Sequence, residues 1–464
     1  MDLFTPVVPQ ERLHSNFLEV TQPERFEFTR EVLNNWANGF KDRDNKFVQE
    51  FQKTFDSSFW ELYLFACFKE LGCSSNLSYP SPDFVLTSPY GEFIAEATIT
   101  QAPYDYRPES DKAMVKEPGM ADIIRLSTIR LLNSITKKVD SFKTLYSTYP
   151  YVQNKPFVIC VSCFDQPFFF KQNYLAIRQV LYAYDQLLTI PGTQEGEVLI
   201  VGESRKYEVQ KKPNVELKLG LFLDETLSDV SAVIFSNAAT TSKIQALATG
   251  GKDLSIFVGS RGIKSKAGVV KLMPFATRGL DYQETLLDGL NVFFNPFAKY
   301  PLDPKIFEGR EIALHNYQPK TDNYQVSIPN NFLYARRCVS PKFFDTEEAL
   351  NSYQTSIAST KTYKELPLEI WKKNELMYMV GKNISFCENY MGHYRGWSIL
   401  VSLNTTTQRW RALAVNTLCY TYPQFLQVTG DKHMALTILE EWLSTKEEVY
   451  TSIKSKIDEI SEQA

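Results

Sequence analysis

The sequence predicts an α/β fold: a mixed β-sheet flanked by helices, followed by a mainly helical C-terminal domain. Three observations carry this expectation. Stretches with helical spacing of apolar residues alternate with short β-branched and aromatic runs through roughly the first 335 residues. A turn-rich tetrapeptide, Ser88-Pro89-Tyr90-Gly91, joins two strand-like runs as a hairpin. Beyond about residue 335 the texture shifts to helical periodicity, with strand signals only from 397–402.

In chain order, residues 1–22 read as an irregular arm. Residues 23–56 carry Phe28, Val32, Leu33 and Trp36, then Phe47, Val48, Phe51 and Phe55, at helical spacing. A stronger helix covers 58–71, with Ser57 or Ser58 as N-cap and Gly72 as the C′ glycine. The hairpin strands are 82–87 and 92–100. A polar, proline-containing loop at 103–118 leads into a long helix over 118–146, marked by Ile124, Ile129, Leu131, Leu132, Ile135, Val139 and Phe142.

Pro156 opens a buried strand at 157–163, and an aromatic helix is expected at 168–188. Leu199-Ile200-Val201 and Ala232-Val233-Ile234-Phe235 read as further strands. The last segment, from Asp431 as cap to about Ile460, reads as a helix or helix pair. The expected domains are residues 1–57, an arm with helices, 58–335, and a mainly helical 336–464.

Composition narrows the class. At 464 residues, two or three domains are the prior. The chain is 44% apolar and 22% charged, with no run long enough to span a bilayer, so a soluble protein without a membrane partner is expected. The first residues, Met1-Asp2-Leu3-Phe4-Thr5-Pro6, lack a basic n-region and an apolar h-region, and seven scattered cysteines suit reduced thiols in a cytoplasm. Cys160 and Cys163 lie on a strand, where i and i+3 point to opposite faces, so they read as core and not as a metal or redox pair. A net charge of −4 argues against a basic coat. Between Lys243 and Lys271, however, six basic residues stand against one acid, and Arg261, Lys264 and Lys266 are candidate phosphate contacts against the plainer reading of a solvated loop.

The acids of the N-terminal third are the sharpest signal. Glu61 interrupts Phe59-Trp60-Glu61-Leu62-Tyr63-Leu64-Phe65, Asp83 follows Pro82, and Glu96 lies in Phe93-Ile94-Ala95-Glu96-Ala97-Thr98. Carboxylates embedded in core-like sequence are costly without a partner. Mg²⁺ or Mn²⁺, which take hard oxygen ligands, are suitable ones. Asp83 and Glu96 on paired strands can share one ion, with the Ala97 carbonyl as a further oxygen and Glu61 as a supporting acid. A bound ion of this kind suits phosphodiester cleavage. Asn237 and Asn295 read as structural, with a groove-lining role as the alternative. No GxSxG, Walker-type GxxxxGK[ST], GxGxxG or histidine-based zinc spacing is present.

The proline-preceded Asp83 and the later Glu96 resemble the PD-(D/E)xK, or restriction-endonuclease-like, nuclease superfamily. The resemblance implies an αβββαβ core, in which a helix before the hairpin often carries an extra acid, here Glu61. It also implies a Lys two residues after the Glu, where this chain has Thr98. The next helix can supply a substitute cation: Arg130, Ser134 and Lys138 share one face at i, i+4 and i+8, with Lys138 the first choice and Lys137 the second. Arg130, Ser134 and Lys137 are also candidate nucleic-acid contacts. The blocks Phe47-Val48-Gln49-Glu50-Phe51-Gln52, Ser231–Asn237 and Gly289–Ala298 further resemble a set of uncharacterised bacterial proteins over roughly residues 40–335.

These resemblances imply a Mg²⁺-dependent endonuclease acting on DNA rather than RNA in bacterial anti-phage defence, with a homodimer and a protein partner for the C-terminal domain as options. Thr98 keeps two other readings open: a catalytically silent nucleic-acid-binding or scaffold subunit, and a nuclease activated only by a partner.

Overall fold

The computed structural model describes residues 1–21, 26–102, 120–191, 198–212, 214–252, 255–264, 270–339, 377–383, 386–394, 397–404, 409–416 and 428–430. In the N-terminal part, α1 (Ser15–Val20), α2 (Phe26–Ala37), α3 (Phe47–Lys53) and α4 (Phe55–Glu70) precede β1 (Ser74–Asn76), β2 (Phe84–Ser88) and β3 (Gly91–Thr100). Then come α5 (Met120–Thr144), β4 (Phe157–Cys163), α6 (Leu175–Tyr182), β5 (Tyr184–Pro191), β6 (Val198–Arg205), β7 (Glu208–Lys212) and β8 (Val215–Lys218). After them lie β9 (Ala232–Ser236), α7 (Thr241–Leu247), β10 (Ile256–Lys264), β11 (Val270–Arg278), β12 (Leu290–Phe294), β13 (Ile312–Gln318), β14 (Asn323–Ser327) and β15 (Phe332–Val339). The last described strands are β16 (Met377–Asn383), β17 (Phe386–Tyr394), β18 (Trp397–Asn404), β19 (Arg409–Asn416) and β20 (Val428–Gly430).

The chain divides into two units: Met1–Tyr184 with Lys206–Phe343, and Asp185–Arg205 with Phe344–Ala464. The first is built on an eight-stranded sheet in the order β1-β2-β3-β4-β9-β12-β13-β14. The sheet is mixed: β2 and β3 are antiparallel, β3, β4 and β9 are mutually parallel, and β12 runs antiparallel to β9. β4, β9 and β12 are buried along their whole length, which is why they read as unbroken apolar runs.

Helix α4 shows why Glu61 stands out. The helix is apolar on nearly every face because it is enclosed, packing on α2 and α3 as well as on β1 and β3. Trp60 is fully buried, and its indole N–H donates to the Cys160 carbonyl of β4 at 3.0 Å, fixing the helix to the sheet. Glu61, next to it, keeps a side-chain exposure of 19%. Thr54 precedes the helix as its N-cap, so the helix starts at Phe55 and not near Ser57 or Ser58. Gly72 (φ 75°) follows its end, in the left-handed conformation that glycine takes at C′.

Arg130 was a candidate nucleic-acid contact, but its guanidinium turns inward. It pairs with Asp165 at 2.5 Å, and the two side chains are only 5% and 0% exposed. Asp165 also accepts from the Thr100 hydroxyl at 2.7 Å. The pair ties α5 to the turn after β4, where a buried charge that lost its partner would be costly.

A second buried network closes β15 against α7. Glu284 is paired with both Lys243 and Arg336, all with side chains fully buried, and Arg336 holds it with Nε at 2.9 Å and Nη2 at 2.7 Å. β10 runs between β11 and β15 in a separate three-stranded sheet. Arg261 on β10 bonds Asp288 and the Asn331 carbonyl, each at 2.7 Å, with only 12% of its side chain exposed. It is thus a structural tie and not the solvated basic loop residue that composition suggested. Lys264 ends β10, and Lys266 lies outside the described residues.

Three other expectations change. The arm at 1–22 contains a short helix, α1, whose N-cap His14 accepts from the Asn16 N–H at 3.3 Å. The single aromatic helix expected at 168–188 is broken by left-handed residues at Phe168, Asn173 and Ala183, leaving a 3-10 turn, α6 and the start of β5. Where 336–464 was expected to be mainly helical, the described strands β16 to β20 form a five-stranded antiparallel sheet, with β17 and β18 paired from Phe386↔Asn404 to Tyr394↔Trp397, and most of the segment lies outside the described residues. β15 also runs through the expected boundary at 335/336 as part of the first unit. The physical reason is period: Arg409-Trp410-Arg411 alternates every second residue, which is a strand signal. The helix expected from Asp431 to Ile460 lies outside the described residues, as does the whole of the loop 103–118.

Candidate functional site

The hairpin places two of the three acids together. β2 and β3 pair with Phe84 opposite Ala95, so the next step of the ladder sets Asp83 against Glu96. The main chain locks them reciprocally. The Asp83 N–H donates to Glu96 Oε2 at 3.1 Å, and the Ala97 N–H donates to Asp83 Oδ2 at 2.8 Å. Ala97 thus enters the site through its N–H. Glu96 is buried at 3% exposure, whereas the Asp83 side chain keeps 24%.

Helix α5 supplies the cation. Lys138 Nζ lies 2.6 Å from Glu96 Oε1, and the Tyr146 hydroxyl, from the 3-10 turn after the helix, donates to the same oxygen at 2.9 Å. The neighbouring Lys137 is exposed, and Ser134 donates to the Ile99 carbonyl at 3.3 Å. Of the helix-face residues expected here, the structure therefore brings Lys138 to the carboxylates, binds Ser134 to β3 and buries Arg130 against Asp165.

Glu61 reaches the site from α4 but meets a protein cation there. Arg43 Nη2 sits 3.1 Å from Glu61 Oε1 and 3.6 Å from Asp83 Oδ1, while its Nη1 donates to the carbonyls of Tyr79 at 3.0 Å and Asp83 at 3.2 Å. No local pattern signals this. Arg43 lies in Lys41-Asp42-Arg43-Asp44, which reads as a solvated charged loop. Tyr146 was legible in principle, because the i+4 series through Lys138 continues to Phe142 and then Tyr146.

The electrostatics set this corner apart. Burial, and then the neighbouring Asp83 charge, push Glu61 up to about 8 against the opposing pull of Arg43. Burial, and then the Glu96 charge, push Asp83 up to about 7, opposed by the Ala97 N–H, Lys138 and Arg43. Crowded acids that hold protons near neutral pH favour any cation able to displace those protons.

That is the test of fit for Mg²⁺ or Mn²⁺. The oxygens are hard donors, and Mg²⁺ is commonly held by one or two carboxylates with the rest of its shell from water and substrate. Asp83 and Glu96 meet this minimal requirement. Among the described residues no group of three or more His, Cys, Asp or Glu side chains is placed to hold an ion. Glu61 is paired with Arg43.

Other candidates are structural. Asn237 donates to the carbonyls of Phe170 and Tyr334, and Asn295 to those of Leu227 and Val230, all inside the core. Cys160 and Cys163 are both fully buried on β4. Among the described residues, no helix is long and apolar enough to cross a membrane. No family model, curated protein or solved structure matches this chain.

Proposed function

We propose that the protein is a metal-dependent nuclease that cleaves phosphodiester bonds, with DNA as its substrate. The observation that carries this reading is the contact of Lys138 with Glu96, whose carboxylate is itself bound to Asp83 through the hairpin main chain. A lysine ammonium from the next helix thereby stands beside the second acid, the role that Thr98 cannot fill from β3. The chain order α4, β1, β2, β3, α5, β4 also supports a restriction-endonuclease-like core, since it follows the αβββαβ order of that superfamily.

In this reading Asp83 and Glu96 would hold Mg²⁺ or Mn²⁺, which lowers the pKa of a bound water and neutralises charge building on the phosphate. Tyr146 and the Asp83 N–H orient the Glu96 carboxylate. Lys138 shares one N–H with Glu96, and an ammonium has three, so its others can orient the attacking water or a phosphate oxygen. Glu96 itself is buried, which strengthens the interactions its carboxylate makes. A cytoplasmic role in defence against phage follows from the superfamily resemblance alone and is part of the same proposal.

The direct test incubates supercoiled plasmid with wild-type protein and with Glu96→Ala in Mg²⁺ or Mn²⁺. Nicking or linearisation by the wild type alone supports the nuclease. One observation favours the silent-scaffold alternative: Glu96 accepts from Lys138, Tyr146 and the Asp83 N–H together, leaving its carboxylate well satisfied without an ion. Absence of cleavage of DNA and RNA by the wild type under both metals would favour that reading. Cleavage appearing only with an added partner would favour partner activation.

A further inference from the structure

Arg43 does something at this site that a loop arginine need not do. Its guanidinium makes four contacts at once: to Glu61 Oε1, to Asp83 Oδ1 and to the carbonyls of Tyr79 and Asp83. The planar fork of donors suits such a set of contacts. The loop is built to present it. Phe40 and Phe47 are buried on either side, with rings 4.5 Å apart, and the Lys46 N–H is held by Asp42 at 3.1 Å and by Asp44 at 3.3 Å.

We propose that Arg43 is a tethered counter-ion occupying the cation position beside Glu61, so that the site takes a single divalent ion, at Asp83 and Glu96, and Glu61 ligates none. The proposal rests on the reading of Asp83 and Glu96 as a metal pair. An ion arriving between Glu61 and Asp83 must displace a cation attached to the chain. It would also strip the Tyr79 and Asp83 carbonyls of the donor they now have, and an unpaired polar group in a half-buried place is unfavourable. Glu61 therefore acts as a positioning residue: it holds Arg43, and through Arg43 the backbone at Asp83.

The test is Mn²⁺ titration of the full chain by calorimetry. Wild type is expected to bind one ion. Asp83→Asn is expected to weaken that binding by about tenfold or more, as loss of a ligand does, whereas Glu61→Gln changes it by less than about threefold. Arg43→Ala is expected to gain a second, weaker site that disappears in Arg43→Ala with Glu61→Gln. Two ions on the wild type, or a tenfold loss in Glu61→Gln, overturns the proposal. Should Arg43→Ala fail to fold by circular dichroism, the Glu61→Gln titration decides alone. No Mn²⁺ binding by the wild type, or Asp83→Asn binding as the wild type does, overturns the metal-pair reading itself and the proposal with it.

Discussion

Lys138 on α5 and Glu96 on β3 meet with Nζ 2.6 Å from Oε1, although 42 residues separate them in the chain. The contact depends on α5 lying across β3, and it converts a helix-face lysine into part of a carboxylate site. It also gives the nuclease reading its most exposed point.

Replacing Lys138 with Met should lower the rate of metal-dependent plasmid cleavage by about 10²–10⁴-fold, the range for a positioned proton-handling or water-orienting group. Lys143→Met, an exposed lysine further along the same helix, should cleave as the wild type does. Equal rates for both variants in a nicking assay would remove Lys138 from the site.

Arg130 is predicted to matter for folding and not for binding. Asp165→Ala removes the buried carboxylate that its guanidinium pairs with, a loss of about 3–5 kcal/mol. Urea denaturation followed by fluorescence should show the shift. The salt dependence of DNA binding by the folded fraction should be unaltered, whereas a shallower salt slope would make Arg130 a phosphate contact after all.

Glu284 sets an acid limit on stability. Burial alone would raise it, but the charges of Arg336 and Lys243 overcome burial and hold it at about 2, below the ordinary 4.5. The sign follows from that depression: the folded state binds this proton more weakly than the unfolded one, so the stabilisation is complete above about 4.5 and is lost as pH falls toward 2. Thermal melts between pH 5 and pH 2.5 should fall steeply for the wild type. Glu284→Gln should be less stable by about 3–5 kcal/mol at neutral pH, with two buried cations deprived of the carboxylate they share. It should also lose the part of the acid slope that Glu284 carries.

Gly259 on β10 tests the close approach of β15. A Cβ there would come within 2.1 Å of the Ala335 carbonyl oxygen, which is backbone and cannot step aside. Gly259→Ala should therefore cost about 1–3 kcal/mol or more, as overpacking does. An unchanged urea midpoint would mean that the β10–β15 pairing is looser than it stands here.

The sequence by itself determined the local elements and the acids they carry. Helix Met120–Thr144, the hairpin around Ser88-Pro89-Tyr90-Gly91 and the buried strand Phe157–Cys163 follow from period and turn chemistry, which act between near neighbours. Asp83 and Glu96 were legible for the same reason, since a hairpin register is a short-range property. Only the tertiary structure decided what those acids face. Arg43 reaches Asp83 across 40 residues and Arg130 reaches Asp165 across 35, and no periodicity distinguishes a charge that turns inward from one that meets water. Such pairings are set by which helix packs over which strand. For that reason Glu61 found a protein cation where its apolar setting had suggested a metal, and Arg130 and Arg261 went to buried carboxylates instead of phosphates.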